Sequence, residues 1–131
     1  MALHVIPVRT GKREELIDIT GEVVSAVKKS GVKDGICYIF TPHTTAAITI
    51  NENADPDVKS DIIRGLDHLH FDAVKFDHIE GNSSAHIKSS LFGCSEFVIV
   101  EGGELKLGTW QGIYFCEFDG PRSRQVYVTV K

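Results

Sequence analysis

The stretch from Asp77 to Ser90 reads DHIEGNSSAHIKSS, and we interpret the rest of the chain outward from it. It is polar, although apolar segments precede and follow it along the chain. It holds two histidines, His78 and His86, separated by a glycine at position 81 and a run of small residues. Such a stretch is typical either of a capped surface helix with two solvated histidines or of a binding site.

A short helix is predicted from Ala85 to Phe92, and Gly93 can end it. Three residues before the helix carry side-chain oxygens that can accept hydrogen bonds from free backbone N–H groups, namely Asn82, Ser83 and Ser84. A helix start also has a partial positive charge, which favours an anion. Two imidazoles beside it, with Lys88 as a further donor, fit a metal site, a phosphate site, or both.

The composition indicates one globular domain over residues 1–131. Hydrophobic residues make up 42% of the chain and charged residues 24%, which is typical of a chain with a packed core. The net charge of −4 argues against a nucleic-acid partner, which requires a basic face. Because the chain has no bilayer-length apolar run and no signal peptide, we expect a cytoplasmic protein without a membrane partner.

The three cysteines are Cys37, Cys94 and Cys116. They are odd in number, widely spaced and never arranged as CxxC. We therefore expect them to be buried, unpaired residues of a protein in a reducing compartment.

Apolar and alternating runs predict about seven or eight strands, and helical periodicity predicts two helices besides the one already described. The predicted strands cover residues 3–8, 15–19, 35–41, 46–51, 97–101, 104–107, 113–117 and 124–131. The two further helices cover residues 21–30 and 57–69. Helices that interrupt a hairpin-rich pattern favour an α+β fold around a mostly antiparallel sheet or sandwich.

His43 is predicted to lie at a corner between two strands, where functional groups are often found. Trp110 is the only tryptophan, and glycines at positions 108 and 112 flank its segment. Those glycines either let the backbone approach a ligand or form a bulge whose tryptophan fills the core. Arg122 and Arg124 flank the last strand, and they either hold an anion or form surface ion pairs.

Three neutral imidazoles and a water make a common open zinc site, and the candidates are His43, His78 and His86. Their spacing matches no zinc signature such as HExxH. Glu80 could orient His78 through a hydrogen bond. The sequence also contains no P-loop, no GxGxxG segment and no GxSxG elbow.

Three segments occur in order along the chain: HTTAAITINEN at 43–53, EGNSSAHIKSS at 80–90 and GTWQGI at 108–113. Together they closely resemble the YjbQ family, often labelled secondary thiamine-phosphate synthase, over essentially the whole chain. The resemblance implies a compact α+β domain that forms a homotrimer. It also implies a polar pocket in which His43, His78 and His86 bind a metal.

The family label implies a transferase that joins a thiazole phosphate to a pyrimidine-methyl diphosphate. On this interpretation the catalytic residues are His43, Glu52, Glu80 and Gln111. The substrate- or anion-binding residues are Thr44, Asn51, Asn82, Ser83, Lys88, Trp110 and Arg122.

A histidine-rich site suits zinc, whereas a diphosphate substrate usually brings magnesium. Two alternatives stay open. One is a zinc-dependent hydrolase in which Glu52 or Glu80 acts as the base on a metal-bound water. The other is a non-catalytic trimer that binds a metal or a small ligand.

Overall fold

The computed structural model describes residues 2–131, which form eight strands, three helices and a short 3-10 turn. The strands are β1 (His4–Arg9), β2 (Glu15–Asp18), β3 (Gly35–Phe40), β4 (Ala46–Glu52), β5 (Ser95–Glu101), β6 (Glu104–Leu105), β7 (Gln111–Glu117) and β8 (Ser123–Val130). The helices are α1 (Thr20–Ser30), α2 (Pro56–Asp67) and α3 (Ser83–Phe92), and the 3-10 turn covers Phe71–Ala73. The predicted α+β class is confirmed.

The strands form two antiparallel sheets. A five-stranded sheet has the order β1-β8-β3-β5-β6, and a three-stranded sheet has the order β2-β7-β4. The main core packs inward-facing residues of both sheets against α1, as with Val126, Phe115 and Val27. A second apolar cluster lies on the other face of the three-stranded sheet, where Cys116 and Phe118 pack against residues of α2 and α3.

The helix ends follow local chemistry. At the start of α2 the Asp55 carboxylate accepts a hydrogen bond from the backbone N–H of Asp57 over 2.9 Å, and Pro56 is the first helical residue. Helix α1 ends at Gly31, whose φ of 71° suits glycine. Asn82 precedes α3 but does not cap it with its side chain, because its amide donates to Asp119 instead.

The outer face of the five-stranded sheet is apolar and exposed. Six large side chains on this face are between 41% and 61% exposed: Leu3, Val5, Tyr38, Phe40, Phe97 and Ile99. Strand register makes them neighbours, since Tyr38 lies opposite Phe97 and Phe40 lies opposite Tyr127. We call this surface the outer apolar face.

Two predictions about single residues need correction. Cys37 and Cys116 are buried as expected, and burial raises the pKa of the Cys37 thiol to about 11. Cys94 is exposed instead, because it lies in the turn between α3 and β5. Trp110 is 62% exposed, so the alternative in which it fills the core is wrong.

None of the helices that the structure describes is long and apolar enough to cross a membrane.

Candidate functional site

A cavity of about 390 Å³ opens at the end of the sandwich where β3 and β7 finish and β8 begins. His43 reaches it from the β3–β4 corner, His78 from the segment before α3, and His86 from the first turns of α3. Thr44, Glu80, Asn82 and Arg122 also line it. The structure therefore brings together most of the predicted residues of the first two motif segments and one predicted arginine.

A wider hollow of about 640 Å³ adjoins this cavity and shares His43, Thr44 and His86 with it. It extends to Phe40, on the outer apolar face, and to the exposed Cys94. The histidine cavity is thus continuous with the outer apolar face.

His78 and His86 are close enough to act on one ligand. Their ring centroids are 5.4 Å apart, and the planes are nearly perpendicular at 89°. Two imidazoles on one tetrahedral zinc have centroids about 5 Å apart, since each Zn–N bond is about 2.0–2.1 Å long. The separation of the two rings therefore fits the coordination of one shared metal ion.

His43 is held in a different way. Its Nε2 accepts a hydrogen bond from the backbone N–H of Gln125 over 2.9 Å. A backbone N–H can only donate, so a neutral His43 carries its proton on Nδ1. Burial, with the nearby Arg124 guanidinium adding to it, lowers the pKa of His43 and favours this neutral form.

Among residues 2–131, no three or more His, Cys, Asp or Glu side chains form a group that could hold a metal ion. Within one chain, the histidines that suit a metal are therefore His78 and His86, while His43 in this tautomer presents an Nδ1–H donor rather than a lone pair for a metal. The complete set of three histidines stays a prediction.

Beneath the cavity lies a buried ion pair between Arg124 and Glu117. Both side chains point between the two sheets, where Arg124 is 6% exposed and Glu117 is fully buried. Arg124 Nε donates to Glu117 Oε1 over 2.9 Å, and Arg124 Nη2 donates to the Thr45 hydroxyl over 2.8 Å. Burial alone would raise the pKa of Glu117, but hydrogen bonds from Arg124 and Thr10 outweigh it and lower the pKa.

A second charged pair lies at the cavity rim. Arg122 Nη2 donates to Asp119 Oδ2 over 3.0 Å, and Asn82 Nδ2 donates to the same oxygen over 2.8 Å. This network fixes the start of α3 relative to the turn between β7 and β8. It therefore positions His86 relative to the arginines.

Alternation along β8 could have located Arg124. The residue is in phase with Val126, Val128 and Val130, which all face the core, so the pattern predicts an inward-facing arginine. Such an arginine needs a buried acid as its partner. Glu117 is that acid, because it is in phase with the core-facing Ile113 and Phe115 of β7.

Lys88 lies away from the cavity. Its side chain is 2% exposed, and its ammonium group donates to Glu14 Oε2 over 2.6 Å, with Asp67 Oδ1 at 3.7 Å. Helical geometry explains this placement, because Lys88 lies on the face of α3 that also carries Ala85 and packs against the second apolar cluster. Ser83, the first residue of α3, is half-buried and is likewise not a lining residue of this cavity.

The remaining predicted residues lie at the opposite end of the three-stranded sheet. Asn51 and Glu52 end β4, and Gln111 pairs with Glu52 at the start of β7, next to Trp110. The cavity lies beyond the other end of β4, where Ala46 pairs with Glu117. A seven-residue strand spans about 20 Å, so one chain does not join these residues to the histidines.

This region, which we call the Trp110 end, is built by its own hydrogen bonds. The Trp110 carbonyl accepts from the Asn53 backbone N–H over 2.9 Å, and Asn53 Nδ2 donates to Asp18 Oδ2 over 3.0 Å. A side chain at Gly112 would overlap the Asn53 amide. Glycine is needed at position 112 for that close approach within the chain.

The fold and the cavity define an α+β sandwich protein with a polar, small-molecule-sized cavity at one end of its sheets. A family model described as UPF0047 protein YjbQ-like matches residues 4–131. The chain belongs to this YjbQ/UPF0047 family, which confirms the resemblance seen in its three segments.

Curated relatives agree with this membership. The chain is 61% identical over 123 residues to UPF0047 protein MJ1081 of Methanocaldococcus jannaschii, covering 94% of this chain and 89% of that protein. It is 55% identical over 127 residues to UPF0047 protein YugU of Bacillus subtilis, covering 96% of each.

Solved structures share the fold. An uncharacterised conserved protein of the YjbQ/UPF0047 family from Clostridium acetobutylicum superposes with a TM-score of 0.95 at 55% identity, covering 98% of this chain and 99% of that one. A YbjQ-like protein of unknown function from Sulfolobus solfataricus gives a TM-score of 0.94 at 37% identity, covering 98% and 95%.

Proposed function

We propose that this protein is a small-molecule enzyme whose histidine cavity binds a phosphorylated substrate together with a divalent metal. The observation that carries the proposal is the convergence of three imidazoles and two guanidinium groups on one cavity of about 390 Å³. A volume of this size accommodates a small organic phosphate.

The arginines supply donors for the phosphate. Among residues 2–131, Arg124 makes all its hydrogen bonds through Nε and Nη2, which leaves Nη1 free beside the cavity. Arg122 also bonds only through Nε and Nη2 to partners in the described chain. Charge-assisted bonds from guanidinium groups are among the strongest contacts to phosphate oxygens.

The charges in the cavity also support a metal. Each arginine is already paired with a carboxylate, Glu117 or Asp119, and Glu80 adds a further acid to the lining. A dianionic phosphate therefore needs more positive charge than the arginines supply. His78 and His86 would hold a zinc ion, which polarises a phosphoryl oxygen or acidifies a bound water when present.

Two reactions fit this arrangement. Family resemblance favours transfer of a pyrimidine-methyl group from its diphosphate to a thiazole phosphate, with magnesium available from the diphosphate itself. Hydrolysis of a phosphate ester is the second candidate, because Glu80 lines the cavity and could act as a base. Glu52 is the weaker candidate for that role, since it lies at the Trp110 end.

We also propose a cytoplasmic homotrimer in which the outer apolar face is covered by other copies. Six half-exposed apolar side chains present roughly 600 Å² of surface, at 150–250 Å² for each complete large side chain. A typical monomer rarely exposes a larger patch. The free thiol of Cys94 suits the reducing cytoplasm.

Metal binding tests the central part of the proposal. Purified protein and its His86→Ala variant are loaded with zinc, dialysed and measured by elemental analysis. We expect about one zinc per chain in the parent and a loss of 10-fold or more in affinity in the variant. His68→Ala is the matched control, because His68 is an exposed histidine at the end of α2 and should keep the zinc. Equal zinc in all three proteins would contradict the assignment.

Turnover separates the two reactions. The zinc- and magnesium-loaded proteins are given the thiazole and pyrimidine substrates together, and separately a set of phosphate monoesters. Glu80→Gln should abolish hydrolysis while retaining zinc, and transfer should survive it if Glu80 is only a lining residue. If neither reaction occurs and zinc is still bound, the non-catalytic binding protein becomes the better account.

A further inference from the structure

The Trp110 end has an unexplained feature, which is an exposed tryptophan on a segment fixed by hydrogen bonds. Trp110 is 62% exposed, yet its segment is well fixed. Gly108 N–H donates to Gln111 Oε1 over 2.9 Å, Gln111 N–H donates to the Gly108 carbonyl over 3.1 Å, and the Trp110 carbonyl is bonded to Asn53. A large aromatic group held ready in solvent is typical of a contact point for another molecule.

The surface next to Trp110 leads to the outer apolar face. A hollow of about 380 Å³ is lined by Gln111 and Leu107 together with Phe97 and Ile99 of β5. The opposite end of the same face reaches the histidine cavity through Phe40 and the hollow that contains Cys94. The outer apolar face therefore runs between two different polar ends of one molecule.

The size of this face indicates a second copy of the chain as its occupant. Its roughly 600 Å² of exposed apolar side chains approaches the 800 Å² that one copy buries in a single standard interface, and a copy with two neighbours needs further area from its polar ends. A polar rim at each end would complete that area.

The two ends differ in chemistry, so a contact between like ends and a contact between unlike ends would have different effects on the cavity. If like ends met, two cavities would face each other and both tryptophans would remain distant from the histidines. If unlike ends met, each cavity would gain an aromatic wall and the Gln111 amide. Such a head-to-tail contact must close into a ring to satisfy every copy.

We propose that the Trp110 end of one copy closes the histidine cavity of the next copy in a closed ring. Trp110 then provides a stacking surface for a ring-containing substrate, and Gln111 provides a hydrogen-bonding side chain. The proposed contact rests on the proposed homotrimer. It explains why, within one chain, the motif residues of the Trp110 end lie about 20 Å from those of the histidine cavity.

Covalent linking tests the arrangement without any metal or substrate. Thr109 is exposed beside Trp110, and Cys94 is the exposed cysteine of the cavity hollow. Thr109→Cys protein is treated with a short bis-maleimide and run on a denaturing gel. A link within one chain leaves a monomer band on the gel, so a band of higher mass shows that the link joins two copies.

We expect covalent closed rings whose chain number equals that of the native oligomer, and three chains if the homotrimer is correct. Thr109→Cys combined with Cys94→Ser should stay unlinked, and so should Lys29→Cys at the distant end of α1. Gln111→Cys replaces Thr109→Cys if that variant loses thermal stability.

Three results would overturn the inference. An intact oligomer without links shows that unlike ends do not meet. Links that persist in the Cys94→Ser variant show that two Trp110 ends meet each other. A monomer at all concentrations removes both the ring and the homotrimer, whereas the zinc measurement stands or fails separately.

Discussion

The two ends of the three-stranded sheet are both polar and both rich in motif residues, but they are built differently. At the cavity end, the buried Arg124 and the exposed Arg122 are each held by an acid, and each has N–H groups without a partner among residues 2–131. At the Trp110 end, the polar side chains bond mainly to one another and to the backbone. The first arrangement leaves several donors for a ligand within one chain, whereas most hydrogen bonds of the second fix the shape of a loop.

The comparison teaches that free hydrogen-bonding capacity, rather than polarity, distinguishes a site from a scaffold. Asn53, Glu52 and Gln111 are as polar as the cavity residues. Asn53 Nδ2 and Gln111 Oε1 bond within the loop, which leaves Gln111 Nε2 without a partner among residues 2–131. Glu52 contributes its backbone carbonyl, which accepts from the Tyr114 hydroxyl over 3.0 Å. Four measurements would break or sharpen this contrast.

Glu117→Gln should have the largest effect, because it leaves the Arg124 charge buried without a counter-charge. We expect the free energy of unfolding at pH 7 to fall by about 3–5 kcal/mol, measured by urea denaturation. The matched control is Glu101→Gln, which removes an exposed partner of Lys106 at 3.5 Å and should cost about 0.2–1 kcal/mol. Equal losses in the two variants would mean that Arg124 is not a buried, paired charge.

The same pair predicts a pH dependence. Because the pKa of Glu117 is lowered in the folded state, its stabilising contribution is complete above the ordinary pKa of glutamate. That contribution is lost as the pH falls through the lowered value. The Glu117→Gln variant should therefore lose less stability than the parent protein on acidification.

Gly112→Ala should have an intermediate effect at the Trp110 end. The new methyl group would overlap the Asn53 side chain, so we expect a loss of about 1–3 kcal/mol in unfolding free energy. Gly21→Ala in α1 is the control, since a methyl group there meets no atom within 4 Å and alanine favours a helix. Zinc affinity should be unchanged in both variants if the ends are independent within a chain.

The smallest expected effect is a shift in the NMR titration midpoint of His43. Because its pKa is lowered by burial and by Arg124, its NMR midpoint should lie below the value of about 6.5 for an unperturbed histidine. Stability from the neutral ring is complete above about pH 6.5 and is lost as the pH falls through the lowered midpoint. The Gln125 amide signal should move with the same midpoint, and a midpoint above 6.5 would contradict the neutral, hydrogen-bonded ring.

Local patterns predicted the elements well, because caps and alternation act over a few residues. The predicted start of α2 at residue 57, the predicted end of α1 at residue 30 and the predicted start of the last strand at residue 124 all occur within one residue. The third helix begins at Ser83, two residues earlier than predicted.

Placement of the functional groups was harder to predict, because it depends on strand length and pairing. Motif order along the chain joined Glu52 and Trp110 to the histidines, but β4 and β7 carry them to the opposite end. Lys88 was expected beside an anion, yet helix geometry directs it to Glu14. Only tertiary pairing, such as that of Glu117 with Arg124, distinguishes a cavity residue from a structural one.

The most direct test of the account uses Trp110, the only tryptophan of the chain. Trp110→Phe protein, which keeps the histidines, is mixed with His86→Ala protein, which keeps the tryptophan, and the subunits are exchanged before cobalt is added. The account predicts that cobalt bound in one subunit quenches the tryptophan fluorescence of its neighbour, and that His86→Ala protein alone is not quenched. Cobalt that binds the mixed oligomer without quenching, or that does not bind at all, would contradict it.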